Sequence, residues 1–164
     1  AGLFAAFNTI TAASADPQVR KQVLAIAESL MDEIAQKPFT NCDPDDPLAA
    51  IGVGCATVEG IGPEGCPGAC ETRYATPQFD NVSDYDTFTM NPGTGGIKGI
   101  NDVAIGGLEA YTATVAVAQV ALASGVNEIV FTESLRITVT VTGPSGVSVT
   151  LEGYRTRYAP TTLP

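Results

Sequence analysis

The residues best placed to do chemistry in this chain are carboxylates and cysteines. One acidic group is Asp43, Asp45 and Asp46 beside Asn41; a second is Asp80, Asn81, Asp84 and Asp86. Short runs of Asp and Asn in loops supply the six to eight oxygen ligands that calcium takes, so both groups are candidate calcium sites. Neither has EF-hand spacing, and turn-forming Asp residues fixed by Pro44 and Pro47 are the plainer reading. Cys42, Cys55, Cys66 and Cys70 are the only cysteines and fall in one Gly/Pro-rich stretch. An even, tightly grouped set of this kind predicts two disulfides formed in an oxidising compartment. A structural zinc site is the rival, but the closest pair, Cys66 and Cys70, is C-x-x-x-C rather than a C-x-x-C knuckle. Four cysteines allow three pairings, and spacing does not choose among them.

Other chemistries find little to work with. The chain has no His, which removes the commonest general base and the commonest metal ligand together. Ser and Cys nucleophiles have no Lys close in sequence to activate them. A glycosidase-like carboxylate pair would lack Trp as a stacking platform, since the chain has none. The loop Asn91-Pro-Gly-Thr-Gly-Gly-Ile-Lys98-Gly departs from a phosphate loop: Ile97 separates Gly96 from Lys98, and no Ser or Thr follows the lysine. No enzyme and no cofactor is expected, calcium aside. Asn81-Val82-Ser83 matches the N-glycosylation tripeptide, a pattern common by chance.

Charge narrows the partners. Net charge is −10 over 164 residues, from 18 acidic and 8 basic side chains. Nucleic acid and anionic membrane surfaces both require clustered cations, so no nucleic-acid partner is expected. The acid concentrates at 28–86, where only Lys37 and Arg73 oppose it. Solubility, a basic partner or a hard cation would each account for that.

These groups must be held by a scaffold, and the length suits one domain. Val19, Val23, Ile26, Ala27, Leu30 and Ile34 recur at intervals of three and four, with Arg20, Lys21, Glu28, Asp32 and Glu33 opposite, predicting an amphipathic helix. Asp16-Pro17 marks a restart or a kink within it, and Lys37-Pro38 ends it. Residues 38–109 are loop-rich, with short extended pieces only near Thr72–Thr76 and Asp86–Met90. From Ala110 the period becomes two. Tyr111, Ala113, Val115 and Val117 form one apolar face; Leu135, Ile137, Val139 and Val141 form another. Leu135–Thr142 and Val147–Tyr158, joined by Gly143-Pro-Ser-Gly146, predict a β-hairpin, and a parity change after Gly153 predicts a bulge. The fold class is α+β: a long N-terminal helix (1–37) packed on an antiparallel sheet (110–160), with a disulfide-stapled loop region (38–109), all within one domain.

The opening AGLFAAFNTITAA is apolar but far too short to span a bilayer, and lacks Met and a positive n-region. It predicts that residue 1 is a cut point in a longer chain.

Three segments carry a family resemblance. ITAASADPQVRKQVLAIAESLMDEIAQKPF (10–39) resembles the stem of minor type IV pilins, in particular the MshD-like proteins of the mannose-sensitive haemagglutinin (MSHA) pilus. FDNVSDYDTF (79–88) is similar to that family's mid-domain motif, and LRITVTVTGPSGVSVTLEGYRTRYAP (135–160) to its C-terminal hairpin. The resemblance implies a type IV pilin-like fold and a structural role in pilus biogenesis. It implies an upstream helix anchoring the protein in the inner membrane, before assembly into an extracellular fimbrium. Partners would be other major and minor pilin subunits. Leu3, Phe4, Phe7 and Ile10 would be the helix-packing interface. A minor pseudopilin of type II secretion uses the same plan, and a calcium- or glycan-binding adhesive tip is a further alternative.

Overall fold

The computed structural model describes residues 2–48, 54–66, 68–122 and 133–157, and for 2–16 the backbone alone. Its first element is a single helix, α1 (Gly2–Ala35), which continues through Pro17. An interior proline removes one backbone hydrogen bond, so the Asp16-Pro17 signal resolves as a tolerated defect rather than a restart. Past it the amphipathic stripe takes over: Val23, Ala27, Leu30 and Ile34 are buried, with Val19 and Ile26 packed beside them. The helix ends ahead of Pro38, its last carbonyls taken by the amides of Gln36 and Lys37.

The stripe faces a four-stranded antiparallel meander in the order β1 (Thr89–Met90), β2 (Thr112–Gln119), β3 (Ser134–Thr142) and β4 (Ser148–Thr156). Alternation decides which side is buried. Ala113, Val115 and Val117 of β2 and Leu135, Ile137, Val139 and Val141 of β3 form the core with the helix. The Thr side chains between them fall on the outer face, where Thr140 bonds Thr150 and Thr142 bonds Ser148 across the hairpin.

The predicted bulge after Gly153 is absent. The β3–β4 register is unbroken from Thr142↔Ser148 to Ser134↔Thr156, with Ile137 opposite Gly153. Gly153 therefore keeps its place on the helix side, where an added Cβ would sit 3.0 Å from the Met31 sulfur. The glycine lets the helix approach the sheet; it does not reset the strand. Tyr154, which parity after a bulge would have turned inward, is exposed. Thr72–Thr76 is likewise no strand. It is a tight loop in which Pro77 O accepts from Thr72 N, and Thr72 O from Phe79 N, both at 3.0 Å. Tyr158 and the residues after it lie outside the described residues.

One buried ion pair joins the helix to the loops. Arg73, 6% exposed, donates Nε and Nη2 to the two Glu33 oxygens at 2.7 and 2.6 Å. Its Nη1 reaches Lys98 O at 3.0 Å, and the guanidinium lies over the Phe88 and Tyr74 rings. Tyr85 Oη donates to Glu33 Oε1 at 2.8 Å, and Phe79, Tyr85 and Phe88 pack edge to face beneath. Burial works to raise the Glu33 carboxyl, but the Arg73 and Tyr85 hydrogen bonds and the Arg73 charge outweigh it and hold the carboxyl low. Removing one partner of such a pair strands the other charge. Glu33→Ala should lower the unfolding free energy by about 3 kcal/mol, read by urea denaturation. A loss below about 1 kcal/mol would place the pair among surface contacts of little consequence.

Candidate functional site

The loops between α1 and β1 wrap around one short turn of 3-10 helix, Ser83–Tyr85, whose three residues are buried. Three stretches of chain are tied to it. Pro38 O accepts from Val82 N, and Ser83 O from Gly62 N, each at 3.0 Å. Glu59 N donates to Asn41 O, and Glu71 N to Glu64 O, both at 3.1 Å. The disulfides Cys42–Cys55 and Cys66–Cys70 staple the first two stretches, so all four cysteines pair as predicted and the pairing is now specified. Among the described residues of 38–66, Phe39 is the one buried apolar side chain, with Leu48, Val58 and Ile61 exposed, and a short isolated bridge, Cys42↔Val58, is the only strand-like pairing. Covalent closure substitutes for a core there.

This winding redistributes the two acidic groups seen in the sequence. Asp45 is exposed, and its amide donates to Asp43 Oδ1. Asp46 is buried and holds a turn: its oxygens accept from the amides of Leu48 at 2.8 Å and Thr57 at 2.7 Å. Those bonds, Thr57 first, keep its carboxyl below its ordinary value. Asp86 faces the sheet and accepts from Val117 N at 2.8 Å. Asp46 and Asp86 thus do the work of turn and edge residues, and the Asp45 side chain stands at the surface. The remaining members, Asp43, Asp80 and Asp84, are brought together with three glutamates that local spacing did not single out: Glu59, Glu64 and Glu71. They form two triads, Glu59–Glu64–Asp84 and Asp43–Glu71–Asp80; within each, one oxygen from every carboxylate lies within 4.8 Å of the others. The glutamates are missed because their meeting with Asp84 and Asp80 depends on long-range bonds, among them Gly62 N to Ser83 O and Glu71 N to Glu64 O.

Asp84 is the hub. It is fully buried, and its Oδ2 accepts from Asp80 N at 2.8 Å and Asn81 N at 2.7 Å. Ser83 Oγ donates to Glu59 Oε1 at 2.7 Å, and Gly60 N to Glu64 Oε1 at 3.2 Å. Asn81 is itself fully buried, its amide nitrogen donating to Thr40 Oγ1 at 2.9 Å, so the glycosylation tripeptide is closed to a glycan in the folded chain. Crowded, desolvated carboxylates resist ionisation. Burial first, then the Asp84 and Glu64 charges, push Glu59 up to about 9 against the Ser83 bond. Burial and Asp84 push Glu71 up to about 8 and Asp80 up to about 6, and Glu64 is raised by the same two causes.

Elsewhere, the Asn91–Gly99 loop is a 3-10 turn, Pro92–Thr94, and Lys98 is spent on Asp102 at 2.8 Å. A cavity of about 220 Å³ lies between α1 and this loop, lined by Ile26, Leu30, Met90, Ile97 and Leu108. Its one buried charge, Arg73, already belongs to Glu33. Leu3, Phe4, Phe7 and Ile10 fall where only the helical backbone is described, so their packing lies outside the described side chains. No helix among the described residues is long and apolar enough to cross a membrane. No family model, curated protein or solved structure matches the chain.

The raised carboxyls set the pH response. Each binds its proton more tightly folded than unfolded, so between the unfolded value near 4 and the folded values stability falls as pH rises. Chelator-treated protein should lose melting temperature progressively from pH 5 to pH 9. A flat or rising profile across that window would contradict the clustering.

Proposed function

We propose that this chain is the head of a type IV pilin-like structural subunit, a minor pilin, exported across the inner membrane and assembled through its helix. The observation carrying this reading is the disproportion between helix and sheet. A helix of 34 residues is about 51 Å long. Strands of nine residues, such as β3, cover only about 30 Å. The sheet therefore accounts for the amphipathic part of the helix, 19–34, and leaves the apolar opening to another role. Three segments resembling minor pilins fall on this helix, on the turn at its foot and on the hairpin it covers, which is how one architecture would distribute them. Two disulfides suit an oxidising, extracytoplasmic location.

On this reading Leu3, Phe4, Phe7 and Ile10 form the lower helix-packing surface against other major and minor pilins. The acidic loops face outward. The work is assembly rather than catalysis.

The test is incorporation. The chain, fused behind the apolar anchoring segment of a type IV pilin and expressed in a piliated bacterium, should appear in the sheared-pilus fraction. Substituting Phe4→Asp with Phe7→Asp should reduce that content severalfold while the isolated head keeps its melting temperature. Absence of the unsubstituted fusion from sheared pili, or unchanged content of the double variant, would overturn the reading.

A further inference from the structure

The carboxylates around Asp84 share a pattern that crowding alone does not explain. In the triad Glu59–Glu64–Asp84, each side chain has one oxygen anchored by the protein and the other left over. Glu59 Oε1 is held by Ser83, Glu64 Oε1 by Gly60 N, and Asp84 Oδ2 by two amides. The second oxygens, Glu59 Oε2, Glu64 Oε2 and Asp84 Oδ1, are buried and have no protein partner. In the adjoining triad, Glu71 Oε2 and both Asp80 oxygens are in the same condition. Among the described residues, every buried side-chain oxygen without a partner belongs to these two triads.

Buried acceptors are satisfied as a rule, and one left without a partner is unfavourable to the fold. Asp84 is 0% exposed and Glu71 6%, so bulk water does not serve them. Nor is a basic side chain at hand. Arg73, the one cation in residues 38–97, is bound to Glu33, and Lys37 donates to Phe79 O at 2.6 Å. Protons can neutralise single carboxyls; a divalent ion serves three oxygens at once.

The donor set chooses the ion. No imidazole exists in the chain, and all four thiols are in disulfides, which leaves hard oxygen ligands alone. Calcium–oxygen distances are about 2.3–2.6 Å, so ligand oxygens on opposite sides of one ion stand at most about 5 Å apart. One oxygen from each carboxylate lies within 4.8 Å of the others, close enough for all three to reach a common calcium-sized centre. Magnesium demands a tighter octahedron and keeps most of its waters, which ill suits several anchored, anionic side chains.

We propose that Glu59, Glu64 and Asp84 are the side-chain ligands of a calcium ion that locks the three loops together, with Asp43, Glu71 and Asp80 flanking it as an extension of the same anionic site. The ligand set differs from either acidic run in the sequence. It also stands independently of any role in a pilus, since it concerns only the head.

Calorimetric titration of calcium into chelator-treated full chain at pH 7.5 should give saturable binding with a Kd on the order of 10⁻⁶–10⁻⁴ M. Calcium at about 100 times Kd should raise the melting temperature by about 5–10 °C. Asp84→Asn disturbs the turn as well as the site, so the decisive variants are Glu59→Gln and Glu64→Gln. Each keeps shape and loses charge, and each should weaken binding at least about tenfold. Glu152→Gln, on the outer face of the hairpin, should bind as the unsubstituted chain does. Absence of heat and of any melting shift would overturn the proposal. So would unchanged affinity in both glutamine variants, or magnesium binding as tightly as calcium.

Discussion

The Glu33–Arg73 pair is the constraint on which the loop half of the molecule depends. The sheet and helix could pack through their apolar faces alone, because period-two and period-3.6 stripes meet without further instruction. The loops have no such stripe. Arg73 gives them an anchor by binding the helix through Glu33, the 98–99 backbone through Lys98 O, and the aromatic group through Phe88 and Tyr74. Tyr85 completes the arrangement from the Ser83–Tyr85 turn, so the hub of the acidic site shares a two-residue neighbourhood with a side chain that reports to the helix. Burying a guanidinium is costly, and the bidentate geometry with a second donor to the same carboxylate offsets it. The contact ties the turn that carries Asp84 to the helix, while the backbone bonds of Gly62 to Ser83 and of Glu71 to Glu64 gather the carboxylates around it.

Two economies of construction then divide the chain. The helix–sheet half is held by dispersion and apolar burial, with core residues that are mostly small and branched: Val, Ile, Ala and Leu. The loop half is held by disulfides, buried polar bonds and a small aromatic group, because its apolar side chains fall in no helical or strand period that would build a continuous face. The charge imbalance falls on the second half. A segment that gathers this many carboxylates without cations opposes its own collapse, and the staples are what keep it compact.

This division also governs what could be read from the sequence. The buried stripe from Val19 to Ile34 and the alternation of Leu135–Val141 were legible because local period alone assigns their faces. The hairpin followed from Gly143–Gly146 between two alternating runs. Gly153 was misread: a glycine in a strand fits both a bulge and a close approach, and only the position of Met31 decides between them. The cysteines were legible as a set, whereas their pairing depends on the path of the loops. Among the acids, Asp43, Asp80 and Asp84 stood out by local density, yet Asp45, Asp46 and Asp86 stood out equally; Asp46 and Asp86 serve the backbone and Asp45 is exposed. Glu59, Glu64 and Glu71 carried no local signal. Convergence across loops is set by long-range backbone bonds such as Gly62 N to Ser83 O, which leave no trace in spacing.

The shortness of β1 has a consequence for how such a molecule can meet its own copies. A sheet edge normally offers a row of open amides and carbonyls, an invitation to strand addition. Here β1 covers β2 for only two residues, and the edge beyond is closed by other means: Phe88 O takes Val115 N, and the Asp86 carboxylate takes Val117 N. An intruding strand would have to break both bonds and leave a carboxylate facing its backbone carbonyls. The edge nearest the acidic loops is thus closed to strand addition by a backbone bond and a negative charge.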